Sequence, residues 1–266
     1  MSEILENWRR GLGLPGVLVI DGHIHINGWR HAPTFMTAEE AAEESVAFMD
    51  ANGVDLACSM GGGHMLEGED YRLGNDFLLE VCGRIPDRLI GFALLNPNDA
   101  REALVDELIR MHDHGIRGIK LINDYQHYPG DGPNLMTVYE FAAEYGMLVL
   151  NHAWTHEVLD RIARAFPQVD FICGHYGSHY DPLLKAHANV YANIWSYADY
   201  GWLDAGIANC GAHKFMMGSD GFLNPMSVGI GPVVHAAIPD EEKRLVLGGN
   251  LARLLDRVGA LPRTRT

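Results

Sequence analysis

The stretch Val17-Leu18-Val19-Ile20-Asp21-Gly22-His23-Ile24-His25 joins a short aliphatic run to two closely spaced histidines. Such a run is typical of a strand covered on both faces, as in parallel sheets. Side chains alternate along a strand, so His23 and His25 point the same way and Ile24 points the opposite way. Two imidazoles placed like this suit a cation such as zinc, although solvated or core histidines would show the same spacing. Asp21 would either orient one ring or be only a strand-end carboxylate.

Similar apolar runs recur along the chain at intervals of 21 to 37 residues, which leaves room for one helix and two loops each time. They begin near Val17, Val54, Leu89, Ile116, Met147, Val169, Val190 and Lys214. Consecutive parallel strands need such a helical crossover, so the pattern predicts an α/β fold. A doubly wound open sheet is the alternative, but no G-x-G-x-x-G follows the first run and no G-x-x-x-x-G-K-[ST] occurs. We therefore predict a single-domain (β/α)8 TIM barrel, whose functional groups lie at the C-terminal ends of the strands.

The boundaries of several helices are also readable. Residues 1–16 are predicted to form a short N-terminal helical extension, and residues 17–266 the barrel domain. Thr37 and Glu40 have the spacing of a capping box, which predicts the start of a helix. The segment Gly248-Gly249-Asn250 is predicted to cap the last helix, which would begin at Leu251.

Composition narrows the class of protein and of partner. The chain has 266 residues, 20 basic and 35 acidic side chains, and a formal charge of -15, which argues against a nucleic-acid partner. No aliphatic run is long enough to cross a bilayer, and the acidic start Met1-Ser2-Glu3 lacks the features of a secretory signal. The four cysteines show no C-x-x-C spacing and are expected to be free thiols. We therefore expect a cytoplasmic protein that acts on a small molecule, without nucleic acid or membrane, and leave its association into homo-oligomers open.

Polar side chains also lie within or at the end of four of the later apolar runs. Lys120 lies within the fourth run, where a lysine is expensive unless it is paired or modified. His152, His175 and Asp220 end the fifth, sixth and eighth runs. Each one alone is explained by a structural role, but in a barrel all of them would converge with the first histidine pair at one rim. Together they predict a metal site.

The order of these residues resembles that of the amidohydrolase superfamily. The surrounding segments resemble its mononuclear amidohydrolase-2 branch, which includes aminocarboxymuconate semialdehyde decarboxylase, and the likeness extends from about Val17 to Val258. The segments that carry it are Ile20-Asp21-Gly22-His23-Ile24-His25, Pro86-Asp87-Arg88-Leu89-Ile90-Gly91-Phe92, Gly118-Ile119-Lys120-Leu121, Gly174-His175-Tyr176-Gly177, Gly218-Ser219-Asp220 and Gly249-Asn250. The branch contains hydrolases, lactonases and nonoxidative decarboxylases, so the resemblance implies the fold and the metal more directly than the reaction.

The resemblance implies a role for each residue at the rim. The metal ligands would be His23, His25, His152 and Asp220, and His175 would be the acid/base histidine. The metal would be one zinc ion; the alternative is a binuclear site bridged by carboxylated Lys120. Many relatives have a histidine soon after that lysine, whereas this chain continues Leu121-Ile122-Asn123-Asp124.

Two reactions suit such a site. The first prediction is hydrolysis of an amide, ester or lactone by a metal-activated water, with Asp220 as proton acceptor. The alternative is decarboxylation of an aromatic or enolic acid, and a non-catalytic scaffold that keeps a structural metal is a third reading. Side chains expected to bind substrate are Arg30, His64, Tyr125 and Trp154.

Overall fold

A computed structural model of the chain describes residues 2–26, 37–61, 71–195 and 201–262. Eight parallel strands form one sheet in the order in which they occur in the sequence. They are β1 (Ile20–His25), β2 (Leu56–Met60), β3 (Leu89–Leu94), β4 (Gly118–Leu121), β5 (Leu148–Asn151), β6 (Phe171–Cys173), β7 (Val190–Asn193) and β8 (Phe215–Met216). Backbone hydrogen bonds from Gly22 to Met217 and from Asp220 to His23 join the first strand to the chain around the last. The predicted TIM barrel is confirmed.

Helices alternate with the strands. They are α1 (Glu3–Arg9), α2 (Ala38–Asn52), α3 (Tyr71–Arg84), α4 (Arg101–Asp113), α5 (Pro133–Tyr145), α6 (His156–Ala165), α7 (Asp181–Ala186), α8 (Trp202–Cys210), α9 (Ser227–His235), α10 (Asp240–Arg244) and α11 (Asn250–Arg257). The capping box of Thr37 and Glu40 is present at the start of α2. The N-terminal helix α1 packs against α9, and the Asp240 carboxylate accepts the backbone N–H groups of Glu3 and Ile4.

The last helix begins at Asn250, one residue before the predicted start, but the predicted cap is absent. The segment Gly248-Gly249-Asn250 does not cap α11, because a π-helical turn, Leu245–Gly249, runs from α10 directly into it. A Cβ atom at Gly248 would lie 2.4 Å from the carbonyl oxygen of Leu18, so this glycine permits close packing of the helix on the strand region rather than a helix end.

Apolar side chains pack in two layers, one on each face of the barrel sheet. One fills the space between strands and helices. The other lies inside the barrel, where strand residues such as Ile20, Ile90 and Leu150 pack with Leu251 and Leu254 of α11. Helix α11 therefore closes the barrel at the end opposite the strand C-termini, and the polar groups are left for the other end.

The described parts of the chain contain no helix long and apolar enough to cross a membrane. The four cysteines are free thiols, and three of them are buried.

Candidate active site

Three predicted ligands meet at the open end of the barrel. His23 and His25 are the last inward-facing residues of β1, and Asp220 follows β8. The Nε2 atoms of the two imidazoles lie 3.0 Å apart, and the Asp220 Oδ1 atom lies 3.2 Å from His23 Nε2 and 3.3 Å from His25 Nε2. Ligand atoms around a tetrahedral zinc ion, with bonds of about 2.0–2.1 Å, are separated by about 3.3 Å. This donor set therefore fits one face of a small divalent cation.

The ionisation of this cluster also suits a cation. Burial lowers the pKa of both imidazoles, and the nearby Lys120 charge lowers that of His23 further, so both rings are neutral. Burial by itself would raise the pKa of Asp220, but hydrogen bonds with His23 and His25 hold it well below its usual range. Neutral imidazole and ionised carboxylate are the forms that bind metal.

Asp21 joins the two strands that carry the ligands. Its Oδ1 atom accepts the backbone N–H groups of His23, at 3.1 Å, and of Ser219, at 3.0 Å, while Oδ2 accepts the Ser219 hydroxyl. Burial raises the pKa of Asp21 to about 6. Asp21 neither orients an imidazole ring nor is only a strand-end carboxylate. It contacts the backbone of His23 rather than the ring, and so positions the backbone around the ligand residues.

His152 lies beside this cluster and is held by a carboxylate. Its Nδ1 atom is 2.6 Å from the Oδ2 atom of Asp124, in the loop after β4. Its ring lies 4.6 Å from the Tyr125 ring and 4.5 Å from the His175 ring, centroid to centroid. A metal-binding histidine commonly donates its second ring nitrogen to such a carboxylate. Asp124 thus has the contact expected of a residue that orients a ligand.

His175 is fixed by an indole. Trp195, just after β7, donates its Nε1–H to the Nε2 atom of His175 at 2.9 Å. The backbone of His175 has a positive φ of 44°, which is uncommon for a residue other than glycine. Burial lowers the pKa of His175 to about 4.

Lys120 is fully buried at the bottom of the site. Its Nζ atom has no hydrogen-bond partner within the described ranges, and it lies 4.8 Å from the centroid of the Trp195 ring. Burial lowers the pKa of Lys120 to about 7. A structural ion pair, one of the two explanations for this lysine, is not formed by the described residues.

These side chains surround a cavity of about 170 Å³. Its lining residues are His23, His25, Lys120, Ile122, Tyr125, His152, His175, Trp195, Asp220 and Leu223. Of the residues expected to bind substrate, Tyr125 lines the cavity, whereas Arg30 and His64 lie outside the described residues. Trp154 is buried elsewhere, with its indole N–H directed at the Tyr139 hydroxyl. The walls combine aromatic and aliphatic faces with one buried amine.

The model of the amidohydrolase-2 family, described as amidohydrolase, matches residues 20–257. The chain belongs to the amidohydrolase family. No curated protein matches this member of the family.

Several solved structures have a fold similar to that of this amidohydrolase. An uncharacterized TIM-barrel protein from Bordetella bronchiseptica is 18% identical over 91% of this chain and 100% of its own, with a TM-score of 0.74. A 5-carboxyvanillate decarboxylase from Novosphingobium aromaticivorans, complexed with manganese and a nitrobenzoic acid, is 15% identical over 91% and 96%, with a TM-score of 0.72. A 4-oxalomesaconate hydratase from Rhodopseudomonas palustris is 16% identical over 91% and 97%, with a TM-score of 0.70. At these identities the similarity shows the fold alone.

Sequence reasoning missed the contacts made by two side chains of this amidohydrolase. In the sequence, Asp124 is notable only as a departure from relatives, and Trp195 carries no signal beyond being an aromatic residue after the seventh apolar run. The pairing of β4 with β5 is the signal that could have placed Asp124 beside His152, because the residues that follow adjacent parallel strands lie close together.

Proposed function

We propose that this amidohydrolase-family protein is a metal-dependent enzyme that decarboxylates a small aromatic or enolic carboxylic acid. The observation that carries the proposal is the Lys120 amine, fully buried and without a hydrogen-bond partner among the described residues, in the same cavity as the His23, His25 and Asp220 cluster. A buried cation is costly unless an anion compensates it, and an acid substrate supplies that anion.

The cavity walls agree with a planar substrate. Trp195 and Tyr125 present aromatic faces, and Ile122 and Leu223 present aliphatic ones. Aromatic rings pack favourably against such walls. The names of structurally similar proteins support the same chemistry, because the 5-carboxyvanillate decarboxylase was solved with manganese and an aromatic acid.

The residues of the site would have two separate roles in the reaction, metal binding and stabilisation of negative charge. His23, His25, Asp220 and His152 would hold one divalent cation, which when bound supplies Lewis-acid polarisation of a substrate oxygen. When the carbon–carbon bond breaks, its electron pair stays on the substrate carbon and carbon dioxide leaves. The charge of Lys120 lowers the energy of the negative charge that remains, and a proton from solvent water then bonds to the same carbon in place of the carboxyl group.

We propose a single cation, with zinc as the first candidate because imidazole and carboxylate donors suit it. Two contacts support one ion rather than two. His175 Nε2 already accepts the Trp195 N–H, and Lys120 Nζ lies against the face of the same indole. We also propose a reducing, cytoplasmic location, which the four free cysteines suit.

Hydrolysis of an ester, lactone or amide is the second candidate. It is favoured by the Asp220 carboxylate, which contacts both histidines and stays partly exposed at the cavity, where it could accept a proton from water.

The test is a substrate panel on zinc- and manganese-reconstituted protein. Hydroxybenzoic and enolic acids are assayed for carbon dioxide, and lactones, esters and amides for acid release. We expect carbon dioxide from at least one acid and a loss of about 10²-fold or more in His175→Asn. Acid release alone would move the assignment to hydrolysis, and unchanged turnover in His175→Asn would discredit the site.

A further inference from the structure

Trp195 contacts three different side chains of the site. Its ring stacks on the His23 imidazole at a centroid distance of 3.8 Å and an interplanar angle of 17°. The same ring lies below the Lys120 amine, and the indole N–H reaches His175. Trp195 is 1% exposed, so these contacts are made without competition from solvent.

The chain makes room for this indole. A Cβ atom at Gly174 would lie 2.2 Å from the Cη2 atom of Trp195, so a side chain there would displace the ring. Gly174 immediately precedes His175, and its backbone N–H is bound to the carbonyl oxygen of Asn151 in β5. The close approach of Trp195 to His175 is therefore built into the strand end.

The hydrogen bond between the two rings has only one possible direction. An indole nitrogen is a donor and never an acceptor, so His175 Nε2 must hold a lone pair. A neutral imidazole with a lone pair on Nε2 carries its proton on Nδ1. Protonating Nε2 would break this bond.

We infer that Trp195 is a positioning residue that holds His175 in the Nδ1–H tautomer, so that His175 acts as a hydrogen-bond donor to the substrate rather than as a proton-transfer group. The inference rests on the proposed function for its consequence, since the donor would stabilise negative charge that develops on a substrate oxygen. A neutral imidazole can fill this role without gaining or losing a proton. This role differs from the acid/base role that the resemblance implies for His175, and the experiments below distinguish the two.

The tautomer is tested first, without reference to turnover. Two-dimensional ¹⁵N NMR of the uniformly labelled protein, with and without zinc, reports which ring nitrogen carries the proton, and His175→Asn identifies the signals. We expect a protonated Nδ1 and an unprotonated Nε2 for His175 in the wild-type protein at neutral pH. A protonated Nε2 would overturn the inference, and the measurement does not depend on any Trp195 variant folding.

A double-mutant cycle then separates positioning from general support of the fold. Trp195→Phe retains an aromatic ring but has no N–H, and Trp8→Phe in α1 is the matched remote control. We expect Trp195→Phe to lower kcat about 10-fold or more with a smaller change in KM, and to have no further effect in the His175→Asn background. Trp8→Phe should leave both constants unchanged.

An equal loss from Trp195→Phe in both backgrounds would overturn the inference, because the loss would then not pass through His175. If the NMR result holds but no acid or ester in the panel reacts, the proposed function fails while the tautomer assignment stands. The two failures are therefore distinguishable.

Discussion

At the scale of single residues, the burial of Lys120 opposes stability. Burial lowers the pKa of Lys120 from 10.5 to about 7, so the folded protein binds this proton more weakly than the unfolded chain does. The resulting loss of folding stability is complete below pH 7 and decreases as pH rises from 7 towards 10.5.

We therefore expect Lys120→Met to stabilise the metal-free protein while abolishing activity. The free energy of unfolding should rise by about 2 kcal/mol at pH 6, and by less at pH 9. Urea unfolding of both proteins in the presence of a chelator measures this difference. A variant that is less stable than wild type at pH 6 would show that the amine is compensated in the folded state.

Asp124 belongs to the same scale, because it acts through one histidine. Asp124→Ala removes the acceptor of the His152 Nδ1–H and should weaken zinc binding about 10–100-fold, measured by competition with a chromophoric chelator. Asp124→Asn keeps a carbonyl acceptor and should lose less zinc affinity than Asp124→Ala.

The matched control for Asp124 is Asp131→Ala. Asp131 lies in the same loop but pairs with Arg161, outside the cavity lining. The Asp131→Ala variant should leave zinc affinity unchanged. Wild-type affinity in Asp124→Ala would contradict a ligand role for His152.

At the scale of elements, an ion pair attaches α11 to the barrel. Its arginine, Arg257, is exposed, and its carboxylate, Asp170, is buried. Arg257 Nη1 contacts both oxygens of the buried Asp170 carboxylate, at 2.7 and 3.0 Å, just before β6. Burial raises the pKa of Asp170, and Arg257 partly offsets that rise.

Arg257→Met leaves this carboxylate buried without its partner. The pKa of Asp170 then rises further, so the added cost is present at neutral pH and is lost as pH falls and the carboxylate takes up a proton. We expect unfolding free energy to fall by about 1–3 kcal/mol at pH 7, and by less at pH 4.

The control is Arg164→Met, which breaks an exposed pair with Asp160 within α6. Arg164→Met should cost clearly less than Arg257→Met, measured by the same denaturant unfolding, because solvent screens an exposed pair. Equal effects of the two variants would mean that Arg257 contributes only as a surface charge.

The elements themselves were largely predictable from the sequence. The apolar runs predicted strand starts within three residues of those observed, because a parallel strand buried on both faces needs continuous apolar residues. The continuous helical path from α10 into α11 was not predictable, because Gly248 serves close packing against Leu18, a contact that becomes visible only in three dimensions.

At the scale of the whole molecule, barrel topology brings the candidate site together. His23 and Asp220 are far apart in sequence, yet their side chains meet because β1 and β8 are neighbours around the barrel. The convergence of strand-end residues was predictable for this reason. Strand order also predicts that Asp124 and His152 are neighbours, but the hydrogen bonds to His152 and His175 themselves depend on the conformations of the loops and chain that follow β4 and β7.

Anomalous diffraction from crystals of the zinc-reconstituted protein tests the central claim most directly. We expect one peak, about 2.0–2.2 Å from His23 Nε2, His25 Nε2 and an Asp220 oxygen, with His152 as the fourth protein ligand. A second peak bridged by a carboxylated Lys120, or the absence of any peak beside His23 and Asp220, would contradict the account.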